Sequence, residues 1–336
     1  MKSGKWEFND RLRAEDVVSD KLVNMKRTIL ITGGAGFIGS CLTDKLIEDP
    51  DNFVVVLDDL STGNLKRLPD KEKGNWKCIK CDCNEYRDIS AVMTAYKFDY
   101  VFHYAAVVGV KRTLDNPVSV LHDIQGIKYV LNLCKNTGVK RIFFSSSSEV
   151  YGEPFEHPQN ELTTPLNSRL PYAVVKNVGE AFIRSYKQEY NLDYTIFRFF
   201  NTYGPKQSTD FVMSRFIKAA ISGSKIHIYG DGSQTRTFCY KDDNIEACIK
   251  AMEENHYLND VVNVGSDKEI TILELAQAII RITNSKSEIV HVAPLKEGDM
   301  SRRNPDITKM KRLLGRPMTS LEDGIRKTIE SGQYNY

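Results

Sequence analysis

The stretch Lys26-Arg-Thr-Ile-Leu-Ile-Thr-Gly-Gly-Ala-Gly-Phe-Ile-Gly39 decides how the rest of the chain is read. Residues 28–32 form a short, β-branched-rich apolar run, the pattern of a strand buried on both faces. Gly34, Gly36 and Gly39 follow in the spacing G-x-G-x-x-G, and Gly33, Gly36 and Gly39 also satisfy the looser G-x-x-G-x-x-G. Helical spacing then begins with Phe37, Ile38, Leu42, Leu46 and Ile47. Strand, glycine turn and helix in that order form a dinucleotide cradle. Without side chains the backbone turns tightly, and a pyrophosphate reaches the N–H groups at the helix start. A second apolar run, Val54-Val-Val-Leu57, ends in Asp58-Asp59. An acid about twenty residues past the glycines accepts hydrogen bonds from the adenosine ribose hydroxyls and repels a 2′-phosphate. The expected cofactor is therefore NAD rather than NADP. Gly33, Gly36, Phe37, Ile38 and Gly39 supply the turn that holds it, and Asp58 and Asp59 the acid end.

A chain of 336 residues holds one large or two moderate domains with a real core. Its net charge of +2, from basic and acidic residues interleaved throughout, gives no electrostatic footprint for nucleic acid. No apolar run reaches the roughly 18 residues that cross a bilayer, and the first residues lack a signal peptide's apolar core. The reading is a soluble, cytoplasmic protein with no nucleic-acid and no membrane partner. Among the seven cysteines, Cys78-x-x-Cys81-x-Cys83 is the one cluster. A structural zinc site wants four ligands, usually two close pairs, and the second pair is missing. Reduced thiols, and no metal, are expected.

Residues 1–26 are polar and charged and read as an N-terminal extension with a short helix over 13–23. From Arg27 strands alternate with helices, as a doubly wound parallel sheet of the Rossmann type requires. Further strands fit 77–80, 100–103, 141–145 and 194–198, with helices over 117–136 and 172–191 and a last strand at 261–264 rejoining the sheet. The dinucleotide-binding domain is thus expected over 27–200 and 238–266. Residues 201–237 and 267–336, rich in Gly, Pro and charge, are assigned to a smaller C-terminal α/β substrate domain over the carboxyl ends of the strands. The helix from Tyr172 carries Val174, Val175, Val178, Ala181, Phe182 and Tyr186, more than one apolar stripe. A homodimer through this helix and 117–136 follows, with burial inside the monomer as the competing arrangement.

Chemistry gathers on three features. Phe143-Phe-Ser-Ser-Ser-Ser-Glu-Val-Tyr-Gly152 brings hydroxyls and an acid, Glu149, to the end of a buried strand. Tyr172 and Lys176 stand four apart, neighbours on one helix face. A phenol of ordinary pKa about 10 becomes a usable base when an ammonium and an oxidised nicotinamide stand beside it. Ser147 holds the same substrate hydroxyl, so Tyr172 takes the O–H proton while NAD takes hydride from carbon.

These residues resemble the extended short-chain dehydrogenase/reductases, the NAD-dependent nucleotide-sugar epimerase/dehydratase group, from about Arg27 to the C-terminus. The likeness rests on the glycine turn, Asp58 with Ser61-Thr62-Gly63-Asn64, His103-Tyr-Ala-Ala106, the Ser run and Tyr172/Lys176. It continues in Arg198-Phe-Phe-Asn201-Thr-Tyr-Gly-Pro205, Tyr229-Gly-Asp-Gly-Ser-Gln-Thr-Arg236 and Arg302-Arg303-Asn-Pro-Asp306. The resemblance implies that Ser61, Thr62 and Gly63 join Asp58 at the cofactor, that Asp82 and Cys83 flank the adenine, and that Ala105 and Ala106 line the cofactor. It also implies that Ser148, Asn201, Arg236 and Arg302 hold a nucleoside-diphosphate sugar, a UDP-sugar being favoured. A planar fork of donors on each arginine suits a diphosphate. One departure is Asp123, where the family usually has Asn.

Members of this group make a 4-keto sugar. A carboxylate at C5 is then lost as CO₂, a 6-hydroxyl is expelled as water, or the ketone is reduced on its other face. Ser148-Glu149, Gly152-Glu-Pro-Phe-Glu-His-Pro-Gln159 and Gly232-Ser-Gln-Thr-Arg-Thr-Phe238 resemble UDP-glucuronate decarboxylases. GDP-mannose 4,6-dehydratases also carry Ser-Glu, and Val107-Val-Gly-Val-Lys-Arg-Thr113 and Pro171-Tyr-Ala-Val-Val-Lys176 look more like epimerase segments. The leading expectation is a UDP-glucuronate decarboxylase-like lyase, with Tyr172, Lys176, Ser147 and Glu149 catalytic. A UDP-sugar 4-epimerase and then a 4,6-dehydratase are its rivals, and a catalytically idle NAD-binding scaffold is the reading from another class.

Overall fold

A computed structural model describes residues 26–70, 74–153, 155–294 and 302–334. Residues 1–25 and the helix expected at 13–23 lie outside the described residues. The first half of the chain runs β1 (Arg27–Thr32), α1 (Phe37–Leu46), β2 (Asn52–Asp58), β3 (Trp76–Lys80), α2 (Tyr86–Tyr96) and β4 (Tyr100–His103). It goes on through α3 (Val110–Asp115), α4 (Pro117–Leu121), α5 (Asp123–Thr137), β5 (Arg141–Ser147), α6 (Pro171–Tyr190) and β6 (Asp193–Phe199). The second half holds β7 (Thr202–Tyr203), α7 (Val212–Ile221), β8 (Ile226–Tyr229), β9 (Thr235–Thr237), β10 (Cys239–Tyr240) and α8 (Lys241–Glu253). The last elements are β11 (Asp260–Val264), β12 (Glu269–Thr271), α9 (Ile272–Thr283), β13 (Ile289–Val292), α10 (Thr308–Leu314) and α11 (Leu321–Glu330).

Seven strands form one parallel sheet in the order β11-β6-β5-β4-β1-β2-β3. The short strand near residue 261 does rejoin it, beside β6. Strands β2 and β5 are buried at every residue, as central strands covered by helices on both faces must be. One face packs on α2, α5 and α6 and the other on α1, α8 and α10. Because β4 and β2 flank β1, strand order reverses there and a crevice opens at the carboxyl ends. The glycine turn after β1, the segment after β4 and the Ser run ending β5 all reach that crevice. Above it, α7, α9 and α11 pack around the β8–β13 and β9–β12 pairs in a separate apolar cluster.

Two expectations change in detail. The helix expected over 117–136 divides at His122, whose N–H reaches back only to the Ser119 carbonyl, a tight three-residue turn. The boundary drawn at residue 267 also shifts. Ile307, Met310, Leu313 and Leu314 are buried against Cys248, Val262 and Val264, so 307–314 packs on the Rossmann sheet rather than on the smaller unit. Apolar spacing marked those residues as core without saying which core.

Candidate active site

The turn after β1 is built for close approach. A Cβ at Gly39 would stand 2.5 Å from the Gly33 carbonyl oxygen and one at Gly33 2.7 Å from Ala105 Cα, so α1 and the β4 segment both press onto bare backbone. Gly33, Gly36, Phe37, Ile38 and Gly39 line the cavity, whereas Gly34 turns towards Val56. The looser glycine spacing is thus the one that faces the crevice. Asp58, 7% exposed, accepts from the Ala35 N–H (2.9 Å) and the Leu60 N–H (2.9 Å), which fixes the carboxylate beside the turn. Burial raises its pKa, and those two hydrogen bonds oppose the rise. Asp59, Ser61, Thr62, Asp82, Cys83, Ala105 and Ala106 also border the cavity, and Gly63 lies against Asp58. A carboxylate lodged at this rim suits ribose hydroxyls and disfavours a 2′-phosphate, so the residues present fit NAD.

At the crevice floor, Thr32 Oγ1 accepts from the Tyr104 N–H (3.1 Å) and the Ala105 N–H (3.2 Å). Thr32 Oγ1 also lies 2.8 Å from His103 Nδ1. Burial, with the Lys176 charge adding to it, pushes the His103 pKa down to about 3. The β5 end supplies Ser145, Ser146 and Ser147, all buried. Ser145 Oγ donates to the His103 carbonyl (3.3 Å) and accepts from Lys176 Nζ (3.2 Å). Ser146 Oγ donates to Glu180 (2.6 Å), and Glu180 grips Arg198 at 2.7 and 2.9 Å. This interlock fixes the strand end on which Ser147 sits.

Pro171 opens α6 at its first turn, where the missing N–H costs nothing. Tyr172 and Lys176 project together into the cavity, and a Cβ at Gly179 would meet Phe144 at 2.4 Å, so only glycine lets α6 lie this close to β5. Ser147 hydrogen-bonds the Tyr172 phenol, which favours the phenolate. Burial outweighs that bond, and with Glu149 and Asp123 nearby the phenol is held well above its ordinary pKa. Lys176 moves the other way, to about 8, because burial penalises its charge.

The substrate-side residues divide. Ser148 and Asn201 line the cavity, and Asn201 donates to the Thr237 carbonyl at 3.0 Å. Arg236 is buried and donates to its neighbour's carbonyl, that of Thr235, at 2.7 Å; it is not among the described cavity-lining residues. Arg302 lies outside that lining too, held bidentately by Glu269 at 2.6 and 2.7 Å. Its neighbour Arg303, 7% exposed, lines the cavity instead and pairs with Glu149 at 2.7 Å. Gln159 brackets this segment, donating to the Asn304 carbonyl and accepting from the Asp306 N–H. An extended chain sends successive side chains to opposite sides, so one arginine of the pair faces in. The resemblance implied Arg302 for the substrate, whereas Arg303 is the member of the pair that lines the described cavity. Glu149 Oε2 and Arg303 Nε are buried without a hydrogen-bond partner among the described residues. Glu149 is therefore both an ion-pair member and a group with acceptor capacity to spare.

The sequence matches the NAD dependent epimerase/dehydratase family over residues 29–265. It is 35% identical over 320 residues to a UDP-N-acetyl-alpha-D-glucosaminuronate decarboxylase of Bacillus cytotoxicus, covering 91% of this chain and 98% of that one. It is 37% identical to UDP-glucuronic acid decarboxylase 1 of Danio rerio, covering 91% of this chain and 72% of the relative. Among solved structures, the UDP-glucose 4-epimerase of Thermotoga maritima with UDP-glucose superposes at a TM-score of 0.85 with 34% identity, covering 90% and 97% of the two chains.

Proposed function

The chain belongs to the NAD-dependent epimerase/dehydratase family, and from that premise we propose that it oxidises C4 of a UDP-sugar bearing a C5 carboxylate and then releases CO₂. Bound NAD supplies the hydride acceptor at C4 and, for a decarboxylase that reduces its keto product, the donor. Gly33, Gly36, Phe37, Ile38 and Gly39 hold its pyrophosphate, and Asp58 and Asp59 with Ser61, Thr62 and Gly63 its adenosine ribose. Asp82 and Cys83 flank the adenine, and Ala105 and Ala106 line the rest. Ser147 holds the 4-hydroxyl, Tyr172 removes its proton, and the Lys176 ammonium favours the resulting phenolate.

The C4 ketone turns the C5 carboxylate into a β-keto acid. Its C5–C6 bond breaks, CO₂ leaves, and the electron pair passes into an enolate on the C4 oxygen. A proton then returns to C5: Glu149 takes it from water on its free oxygen, passes it to the carbon, and is left again as the carboxylate paired with Arg303. Ser148 and Asn201, with Arg236 and Arg302 on the diphosphate, hold the nucleotide sugar. The observation that carries this reading is the Glu149–Arg303 pair inside the cavity beside Ser147 and Tyr172. A buried guanidinium suits a substrate carboxylate, whereas simple 4-epimerisation makes no use of a charged pair there.

The test is UDP-glucuronate labelled with ¹³C at C6, followed by NMR. Labelled CO₂ and a UDP-pentose are expected, with Arg303→Met losing CO₂ release at least about tenfold. A retained carboxylate with inverted C4 establishes the epimerase instead. We assign the enzyme to a reducing cytoplasm, consistent with seven cysteines that are not joined in disulfides. A homodimer through α4–α6 fits Val118 and Leu121, which stand 67% and 41% exposed. Sedimentation velocity checks this, and a monomer at micromolar concentration would refute it.

A further inference from the structure

A carboxylate that the reaction above does not use stands behind the Arg303 segment. Glu269 opens β12, where it pairs with Thr237 of β9. Its side chain accepts from Arg302 Nε (2.7 Å) and Nη2 (2.6 Å), Asn304 Nδ2 (2.5 Å) and Thr235 Oγ1 (3.1 Å). The hydrogen bonds from Arg302 hold the Glu269 carboxyl below its ordinary pKa, so the contacts are charge-assisted and strong. Glu269 is not among the described cavity-lining residues. Any effect it has on the site passes through the residues it holds.

Those residues are the two neighbours of Arg303. In an extended chain, side chains two apart share a side and the one between them takes the other. Exposure alternates to match: Arg302 is exposed, Arg303 buried, Asn304 half-buried and Pro305 buried. With Arg302 and Asn304 both ending on Glu269, Arg303 points away from it, into the cavity, where it meets Glu149 at 2.7 Å. Gln159 aligns the segment through an isolated bridge to Pro305. A slip of one residue there would turn Arg302 in and Arg303 out. It would also pull Arg302 and Asn304 off Glu269, so the carboxylate opposes the slip.

We propose that Glu269 is the positioning residue of Arg303: it tethers the side chains on either side and so presents the guanidinium between them to the substrate carboxylate. This rests on the reading of Arg303 as the group that meets that carboxylate. The tether is compatible with a diphosphate on Arg302, because Glu269 engages two of the five N–H donors a guanidinium carries. Glu269 thereby sets the preference for a sugar with a C5 carboxylate over one with a neutral group there, from outside the cavity.

The experiment is calorimetry of UDP-glucuronate and of UDP-glucose on the NAD-bound protein, in a Tyr172→Phe background so that neither sugar is consumed. With Glu269 in place UDP-glucuronate should bind more tightly. Glu269→Ala should shrink that preference at least about fivefold. A preference left unchanged, including one in which both affinities fall by a common factor, overturns the proposal. Asn304→Ala cuts one tether and leaves Arg302 on Glu269; the preference should fall at least about twofold, and an unchanged one also overturns it. Because Glu269 acts through Arg303, adding Glu269→Ala to Arg303→Met should take nothing further from the preference, and a further fall refutes the mechanism. If the parent does not favour UDP-glucuronate, the reading of Arg303 fails, and the crystal structure of NAD-bound Glu269→Ala still decides on Glu269. There Arg303 should have left Glu149, and a pair still at its wild-type distance refutes the tether.

Discussion

Removing the Glu180 carboxylate should destabilise the protein far more than its distance from solvent chemistry suggests. Glu180 and Arg198 are each 2% exposed at the side chain, joined by two hydrogen bonds of 2.7 and 2.9 Å. Arg198 also donates to the Tyr151 hydroxyl (2.8 Å) and the Glu161 carbonyl (3.2 Å), and Ser146 donates to Glu180 (2.6 Å). Burial lowers the Arg198 pKa and the Glu180 contact overrides that; with Glu180 cut away, a guanidinium of ordinary pKa above about 12 still keeps its proton and is left buried without its partner. Breaking a buried pair in this way costs about 3–5 kcal/mol. At about 2 °C per kcal/mol for a chain this large, Glu180→Ala should melt about 6–10 °C lower. Urea denaturation should give the same loss as a lower midpoint with unchanged slope. The double variant Glu180→Leu/Arg198→Met leaves no orphaned charge and should recover most of the difference. A single variant losing under about 1 kcal/mol, or a double losing more than the single, would refute this account of the interlock.

Three further outcomes follow from the site. Tyr172→Phe should cut turnover of UDP-glucuronate by about 10²–10⁴-fold while leaving NAD affinity within a factor of a few, read by steady-state kinetics and calorimetry. Gly39→Ala forces a Cβ to 2.5 Å from the Gly33 carbonyl oxygen, so NAD affinity by calorimetry should fall at least about tenfold. Stability should also fall in alkali. Burial pushes Cys41 up to about 11 and Cys81 and Cys248 to about 12, with Cys83, Cys134 and Cys239 raised as well. The unfolded chain releases those thiol protons above pH about 8.5 and the folded one does not, at about 1–2 kcal/mol per thiol by pH 10. Lys176, depressed to about 8, works the other way between that value and its ordinary one, but it is one group against six. A urea midpoint that rises between pH 8 and 10 would contradict the burial of these thiols.

What the sequence revealed was local. The β1–turn–α1–β2 unit was legible because strand, glycines and acid lie close together in the chain, and the Tyr172–Lys176 pair because four residues make one helical turn. The strand from Arg141 ran further than its apolar stretch, to Ser147, since Ser145–Ser147 keep pairing with Phe197–Phe199 despite their polar side chains. Long-range choices were hidden. Whether 307–314 covers one core or another depends on α8 and β11, far away in the chain. The choice of Arg303 over Arg302 hangs on its segment pairing with Gln159, which no spacing encodes. Asp123 stood out as an unusual residue, but only the fold brings α5 and the segment after β4 together around it.

The most direct test of a shared sugar carbon between Tyr172 and the nicotinamide is UDP-glucuronate carrying deuterium at C4. CO₂ release should slow relative to unlabelled substrate in a single turnover, with the label recovered in reduced nicotinamide or back at C4 of the product. CO₂ release at the unlabelled rate, or deuterium washed into solvent from C4, would contradict oxidation at that carbon.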